Sequence, residues 1–303
     1  MKKLMMILIL FMFVLTACKP VDVNEPAPIF DTGVDPESWV KIPAGSFFSG
    51  QFNFLTDIDY DYEIMVTNVT NQQFAEYLNA ALADGYIKIS NKEVVGYYPG
   101  DEFNSGRHET EIKPGDYIHI PLDDPLLRLE YDGNKFTAQP TWANHPMTMV
   151  SWFGAMAYCE YYDGRLPNEL EWEKAARGTE DGRPFPWGFE IERNNANLVN
   201  SLDPFENMST VGSRTTPVGF YNGKTYDGYV TLKSTSPYGV YDMAGNVWEW
   251  TSNVYEQQHY RYLRGGSKDV YENYLRIWIR NSSIPEKTSP SFEIGRASCR
   301  ERV

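Results

Sequence analysis

Three stretches of the chain place apolar residues at the 3.6-residue spacing of a half-buried helix, and shorter alternating runs between them mark strands. In the first, residues 67–82, Phe74, Tyr77 and Leu78 make one stripe; Thr70 stands at the N-cap and Gln73 completes a capping box. The second covers residues 151–162, with Ser151 as cap, Trp152, Ala155, Met156 and Cys159 on its apolar side, and Gly164 closing it. The third starts after Asn168. Glu169 and Glu171 lie in its first turn, Lys174 and Arg177 in its last, and Gly178 ends it, so each charge suits the helix dipole. Strands are predicted within residues 39–48, 117–121, 247–250 and 275–279, whereas residues 83–140 follow neither period and read as a long irregular insertion. Few helices, short strands, many turns and no internal repeat predict an α+β fold.

Composition narrows the function classes. The 303 residues are 42% hydrophobic and 15% aromatic, enough for a substantial core, and 21 Tyr with 8 Trp suit a loop-rich fold whose gaps are filled by amphipathic rings. A net charge of -14 excludes nucleic acid as a partner and excludes a basic membrane-binding patch. There is no Cys-x-x-Cys or His-Glu-x-x-His, and His108, His119, His145 and His259 show no ligand spacing, which leaves transition-metal hydrolysis unsupported.

Both ends need separate treatment. Lys2 and Lys3 precede an apolar run too short to span a bilayer, and Leu15-Thr16-Ala17-Cys18 supplies a small-residue cleavage box. Residues 1–17 are therefore expected to be a lipoprotein signal peptide, with Cys18 the lipidated N-terminus; the expected location is the bacterial cell envelope, lipid-anchored at the outer membrane, with either face open. Residues 18–38, rich in Pro, Asp and Glu, are expected to form a flexible tether. Residues 294–303 match what a widely used sequencing adapter encodes in one frame and are read as an artefact, leaving 39–293 as the domain.

Across that domain a set of short motifs recurs in order: Ile-Pro-Ala-Gly-Ser-Phe at 42–47, Val-Thr-Asn at 66–68, His145-Pro146, Val150-Ser151-Trp152, Arg165-Leu-Pro-x-Glu-x-Glu-Trp-Glu, Pro186-Trp-Gly, Tyr238-Gly-Val-Tyr-Asp-Met-Ala-Gly-Asn-Val-Trp-Glu-Trp and Arg264-Gly-Gly-Ser. Together they resemble the formylglycine-generating-enzyme (sulfatase-modifying factor) family, which implies a variant of the C-type-lectin fold. Oxidase members of that family bind copper through two cysteines shortly after Gly-Gly-Ser, and soft thiolates are what copper(I) requires. Here Val270 and Leu275 fall nearest those two positions, and no histidine follows Ser267 to replace them. Copper is not expected.

The resemblance also implies structural calcium. One site would use the side chains of Asp242 and Glu249 with the carbonyls of Gly245 and Val247; a second would use Asn197 and Asp227 side chains with the carbonyls of Leu198 and Tyr229. Residue type alone favours turn-capping for the aspartates and an arginine partner for Glu249. Arg264, Arg276 and Arg280 are read as partners of carboxylates such as Glu249 rather than as an anion site. Cys159 matches a cysteine that some members pair with one after a C-terminal Gly-Phe-Arg, and a lone buried thiol is the equal alternative. The expected function is a non-catalytic, membrane-anchored binding or assembly module with an unidentified protein partner or ligand, contacted through Lys268, Asp269, Tyr271, Asn273 and Tyr274. The alternatives are a copper-dependent formylglycine-generating oxidase and a retroelement-diversified surface receptor.

Overall fold

The computed structural model describes residues 26–103, 109–206, 214–255 and 259–296, together with the backbone of 298–300. Lys2, Lys3, Leu15, Thr16, Ala17, Cys18 and His108 lie outside the described residues. The chain opens with β1 (Trp39–Ile42), a hairpin of β2 (Gly45–Ser49) and β3 (Phe54–Ile58), and β4 (Tyr62–Met65), which pairs antiparallel with β1. Helix α1 (Asn71–Ala83) starts where the capping box places it: Thr70 Oγ1 accepts from the Gln73 N–H at 3.2 Å and Gln73 Oε1 accepts from the Thr70 N–H at 2.9 Å. It does not reach back to residue 67. The Val69 carbonyl accepts from the Met147 N–H instead, which holds the entry strand extended.

The expected irregular insertion is ordered. It forms a meander of β5 (Ile87–Ser90), β6 (Glu93–Tyr98) and β7 (Gly115–Pro121), then a hairpin of β8 (Leu129–Tyr131) and β9 (Phe136–Ala138). Ile87, Val94, Ile120, Leu129 and Phe136 share one core with Phe74 and Leu78 of α1 and with Phe153 and Ala155 of α2 (Trp152–Tyr161). Each strand contributes only one to three core residues, too few to register as a period.

Helix α3 (Glu169–Arg177) is capped at Asn168 by a second capping box and stopped at Gly178, whose φ of 77° lies in the left-handed region. The short hairpin of β10 (Thr225–Tyr226) and β11 (Tyr229–Val230) follows. The last sheet has the order β14-β13-β12-β15, built from β12 (Trp248–Tyr255), β13 (Tyr260–Arg264), β14 (Asn281–Ser283) and β15 (Phe292–Glu293). β16 (Ser298–Arg300) pairs with β4. The strand expected at 275–279 is absent: residues 272–275 make a 3-10 turn, and Leu275 and Ile277 reach the core from a loop, with the Ile277 N–H donating to the Pro184 carbonyl at 2.8 Å.

The packed region is wider than expected at both ends. Ala27 is buried, the Phe30 ring lies 5.3 to 5.9 Å from those of Phe205, Phe220 and Tyr226, and the Thr32 carbonyl accepts from Lys224 and Asn222. The proposed tether is thus strapped to the body from Ala27 onward, because one alanine and one phenylalanine complete an aromatic cluster that their Pro- and Asp-rich surroundings conceal. Ile294 and Arg296, placed outside the domain by the adapter match, are fully buried. Among the described residues no helix is long and apolar enough to cross a membrane.

An ionic clamp ties the meander to the β12–β13 hairpin. His259 is buried between two carboxylates, Nδ1 2.6 Å from Asp101 and Nε2 2.9 Å from Glu109, and Arg261 donates twice to Asp101 from above the Trp152 ring. Burial alone would depress the imidazole, but the hydrogen bonds to Glu109 and Asp101 outweigh it and raise its pKa above the usual value. Asp101 resists its own burial through Tyr98 and Arg261 and stays below the usual carboxylate range. A raised folded pKa means that His259 contributes fully below its unfolded value of about 6.5 and that the contribution fades as pH rises through the folded value. His259→Gln is therefore expected to lose roughly 2 kcal/mol in urea unfolding at pH 6, with the difference from the parent shrinking toward pH 9. A pH-independent difference would contradict a charged imidazole.

Candidate functional site

The segment after β13 is positioned by two adjacent glycines in the left-handed region, Gly265 at φ 94° and Gly266 at φ 78°. A Cβ on Gly266 would sit 2.9 Å from the Tyr274 carbonyl oxygen, so the chain beyond Ser267 can fold back on itself only because that side chain is missing. Gly245 plays the same part on the neighbouring loop, where an added Cβ would meet the Asn197 carbonyl oxygen at 2.5 Å. Backbone bonds close the junction: Gly245 N–H to Gly265 O, Asn246 N–H to Asn197 O, Lys268 N–H to Asn246 O, and Val199 N–H to Val270 O, all between 2.8 and 3.1 Å. Three loops far apart in sequence meet here, and they bring together Asn197, Leu198, Gly245, Lys268 and Val270.

At the centre of the junction the two positions expected to differ from the oxidases are apolar and packed. Leu275 has no exposed surface and joins Phe185, Ala196, Leu198 and Ala244, while Val270 is half-buried against the same cluster and the main core. Neither side chain has an electron pair for a metal. Cys159 is a free, fully buried thiol in the main core, and burial pushes its pKa far up, so it is inert as a ligand. These residues do not fit copper.

Of the five side chains expected to face a ligand, Asp269, Tyr271, Asn273 and Tyr274 are exposed, the two tyrosines at 61% and 53%. Lys268 is not. Its ammonium is buried, 2.6 Å from Asp269 and 3.1 Å from Ser291 Oγ, and Ser291 in turn donates to Asp269. Burial depresses its pKa while Asp269 keeps it from falling further. A lysine is placed at the surface by default; this one turns inward because a carboxylate and a hydroxyl wait for it.

The proposed calcium ligands are also engaged. Glu249 Oε1 accepts from Asn68 Nδ2 at 2.9 Å and from Arg296 Nη2 at 3.1 Å, and Oε2 accepts from the Trp172 indole at 2.7 Å. One lone pair is left, and a guanidinium on the same carboxylate repels a cation. Asp242 accepts from the Gly219 N–H at 2.7 Å, and burial pushes its pKa up to about 6. In the second set, Asn197 turns its amide toward the Arg214 carbonyl at 2.8 Å, and Asp227 is exposed on the β10–β11 turn. Among the described residues no group of three His, Cys, Asp or Glu side chains is poised for a metal. The first set does not fit calcium as arranged. The arginine cluster divides as well: Arg264 pairs with Glu169 and Glu173, Arg280 with Glu169, and the partner of Glu249 is Arg296.

The fold and junction are those of a known class. Residues 28–294 match the family described as the sulfatase-modifying factor enzyme 1-like domain, and the chain belongs to it. Its few helices and many short strands are the C-type-lectin-like arrangement of that family. An inactive C-alpha-formylglycine-generating enzyme 2 of Bos taurus is 35% identical over 157 residues, 48% of this chain and 48% of that protein. A serine/threonine-protein kinase pkn1 of Chlamydia caviae is 28% identical over 293 residues, 88% of this chain but 38% of that protein. The chain thus spans between about two fifths and one half of these curated relatives. Among solved structures, PvdO from Pseudomonas aeruginosa superposes with a TM-score of 0.53 at 20% identity, over 91% of this chain and 99% of that one, which is a likeness of fold.

If Glu249 is an ion-pair partner, Glu249→Gln is expected to lower stability by about 3 kcal/mol, because it leaves Arg296 buried and uncompensated. Millimolar Ca²⁺ is expected to leave the melting midpoint of the parent where a chelator puts it. A calcium-dependent rise in the parent that the variant lacks would assign Glu249 to a cation instead.

Proposed function

We propose that this chain is a non-catalytic member of its family, a binding or assembly module held at the bacterial cell envelope by a lipid on Cys18. The observation that carries the reading is that Val270 and Leu275, which the resemblance puts nearest the oxidases' copper thiolates, are apolar and packed. Electrons for oxygen activation have no metal to pass through at that position, and Cys159 is buried too deeply to substitute. That a relative is named an inactive formylglycine-generating enzyme fits this reading. The exposed turn bearing Tyr271, Asn273 and Tyr274 is the recognition face: rigid aromatic rings contribute large contact area for little entropy.

The purified chain is expected to take up no stoichiometric copper(I) and, with oxygen and a reductant, to leave a cysteine-containing substrate peptide unchanged by mass spectrometry. Copper bound at one per chain with formylglycine formed would replace this reading by the oxidase. The exposure of the same turn also favours a second reading, a surface receptor diversified by a retroelement. Copies of the gene from one population would then differ in a cluster confined to residues 268–293; variation spread evenly over the domain would dismiss it.

A further inference from the structure

Among the described residues every fully buried guanidinium has a carboxylate: Arg177 has Glu173, Arg261 has Asp101, Arg264 has Glu169 and Glu173, and Arg296 has Glu249. Arg128 departs from that rule. It stands half-buried just before β8 with its guanidinium 4.3 Å over the Trp142 ring, and its Nη1 is buried and meets no acceptor among the described residues. The indole face attracts the cation but does not neutralise it. A second arginine comes to the same place. Trp142 meets the His145 ring edge to face at 4.7 Å, and His145 in turn lies 5.3 Å from the Phe205 ring and puts Nδ1 3.0 Å from Thr215 Oγ1. Arg214, next to Thr215, donates its N–H to the Phe205 carbonyl at 3.2 Å. Burial lowers the pKa of Arg128, the charge of Arg214 lowers it further, and no carboxylate works against either. His145 is neutral there, pushed down to about 3 by burial, with the charge of Arg128 adding to the effect. In a chain with 41 acidic and 27 basic side chains, this is a positive spot that the protein leaves without an acid at Arg128.

We infer that Arg128 and Arg214 hold the phosphate group of a ligand beside the Trp142 ring. Taking a guanidinium out of water is costly unless an anion in good geometry takes up its donors, and the fold has already brought Arg128 part of the way out. The contact with Trp142 restricts its rotamers, so little further entropy is lost when an oxyanion binds. A planar fork suits two oxygens of one phosphorus, and two cations match the charge of about -1.5 to -2 on a phosphomonoester at pH 7 better than the single charge of a carboxylate. The neutral imidazole of His145 adds no repulsion to the cations and no competing charge. None of these residues belongs to the junction at Val270 and Leu275, so the site stands whether or not the chain is catalytic.

The test is calorimetric titration of the purified chain with inorganic phosphate at constant ionic strength, with acetate as the carboxylate control. Phosphate is expected to bind at one per chain and roughly tenfold more tightly than acetate. Arg128→Gln should weaken it roughly thirtyfold, the loss of a charge-assisted hydrogen bond, and Arg128→Lys, which keeps the charge without the fork, should recover only part. Arg214→Gln gives a second measure that does not depend on how the first variant folds, and a loss of at least roughly tenfold is expected there too. No binding by the parent at roughly ten millimolar phosphate, an unchanged affinity in the folded variants, or acetate bound as tightly as phosphate overturns the inference. Glycerol phosphate separates the two sources of the group. Tighter binding than that of inorganic phosphate assigns the site to a phosphate carried on a larger molecule, and weaker binding assigns it to the free ion.

Discussion

Arg264 has no exposed surface, and it is held by two parts of the chain at once, helix α3 and the loop at Ile277. One guanidinium nitrogen donates to Glu169, the other to Glu173 and to the Ile277 carbonyl, and the whole group lies 5.1 Å over the Trp172 ring. Removing a guanidinium from water is costly, and only carboxylates in good geometry offset it, so β13 and α3 dock in a single register. The remaining structure inherits that register. Glu173 also fixes Gly50, and Arg177, one turn on, fixes the β2–β3 hairpin, so the direction of that hairpin is set by the same buried charges. Ile277 carries the constraint into the segment after Gly-Gly-Ser.

Trp172 passes the constraint to a second network, since its indole donates to Glu249. There Asn68 bridges Glu249 and Glu293, and Arg296 reaches Glu249. Three carboxyls, those of Asp242, Glu249 and Glu293, are buried within one region. They can be neutralised by a divalent cation or by protons and an arginine. Here burial, and after it the charge of Glu249, raise the Glu293 pKa well above the ordinary carboxylate value, and Arg296 pairs with Glu249. The residues that suggested a calcium shell have other partners in this structure: Glu249 takes Asn68, Trp172 and Arg296, and Asp242 takes the Gly219 N–H. Arg296 falls in the stretch that matches a sequencing adapter, and in this chain it is the arginine that reaches Glu249.

What was legible in the sequence followed from local rules. The three helices were readable because Thr70, Ser151 and Asn168 cap them through bonds that span three residues. The meander in residues 87–121 was not, since a strand such as Ile87–Ser90 buries one residue and shows no period. The alternation of Leu275 with Ile277 and Ile279 was real but reported burial, not a ladder. At the junction, the inward turn of Lys268 is invisible at short spacing because one of its polar partners, Ser291, is 23 residues away. The β2–β3 hairpin carries a signal of its own in the sequence, the absence of charge from Ile42 to Thr56.

The same long-range character sets the frame of the fold apart from the side chains of its candidate site. The loops that meet at Val270 and Leu275 are held by backbone bonds and by glycines at positive φ, none of which depends on a metal. Leu275, fully buried, adds apolar area to the cluster of Phe185, Leu198 and Ala244 and so strengthens the packing at that junction. The exposed residues one step away, Tyr271, Asn273 and Tyr274, lie on a segment that Arg264 holds through the Ile277 carbonyl.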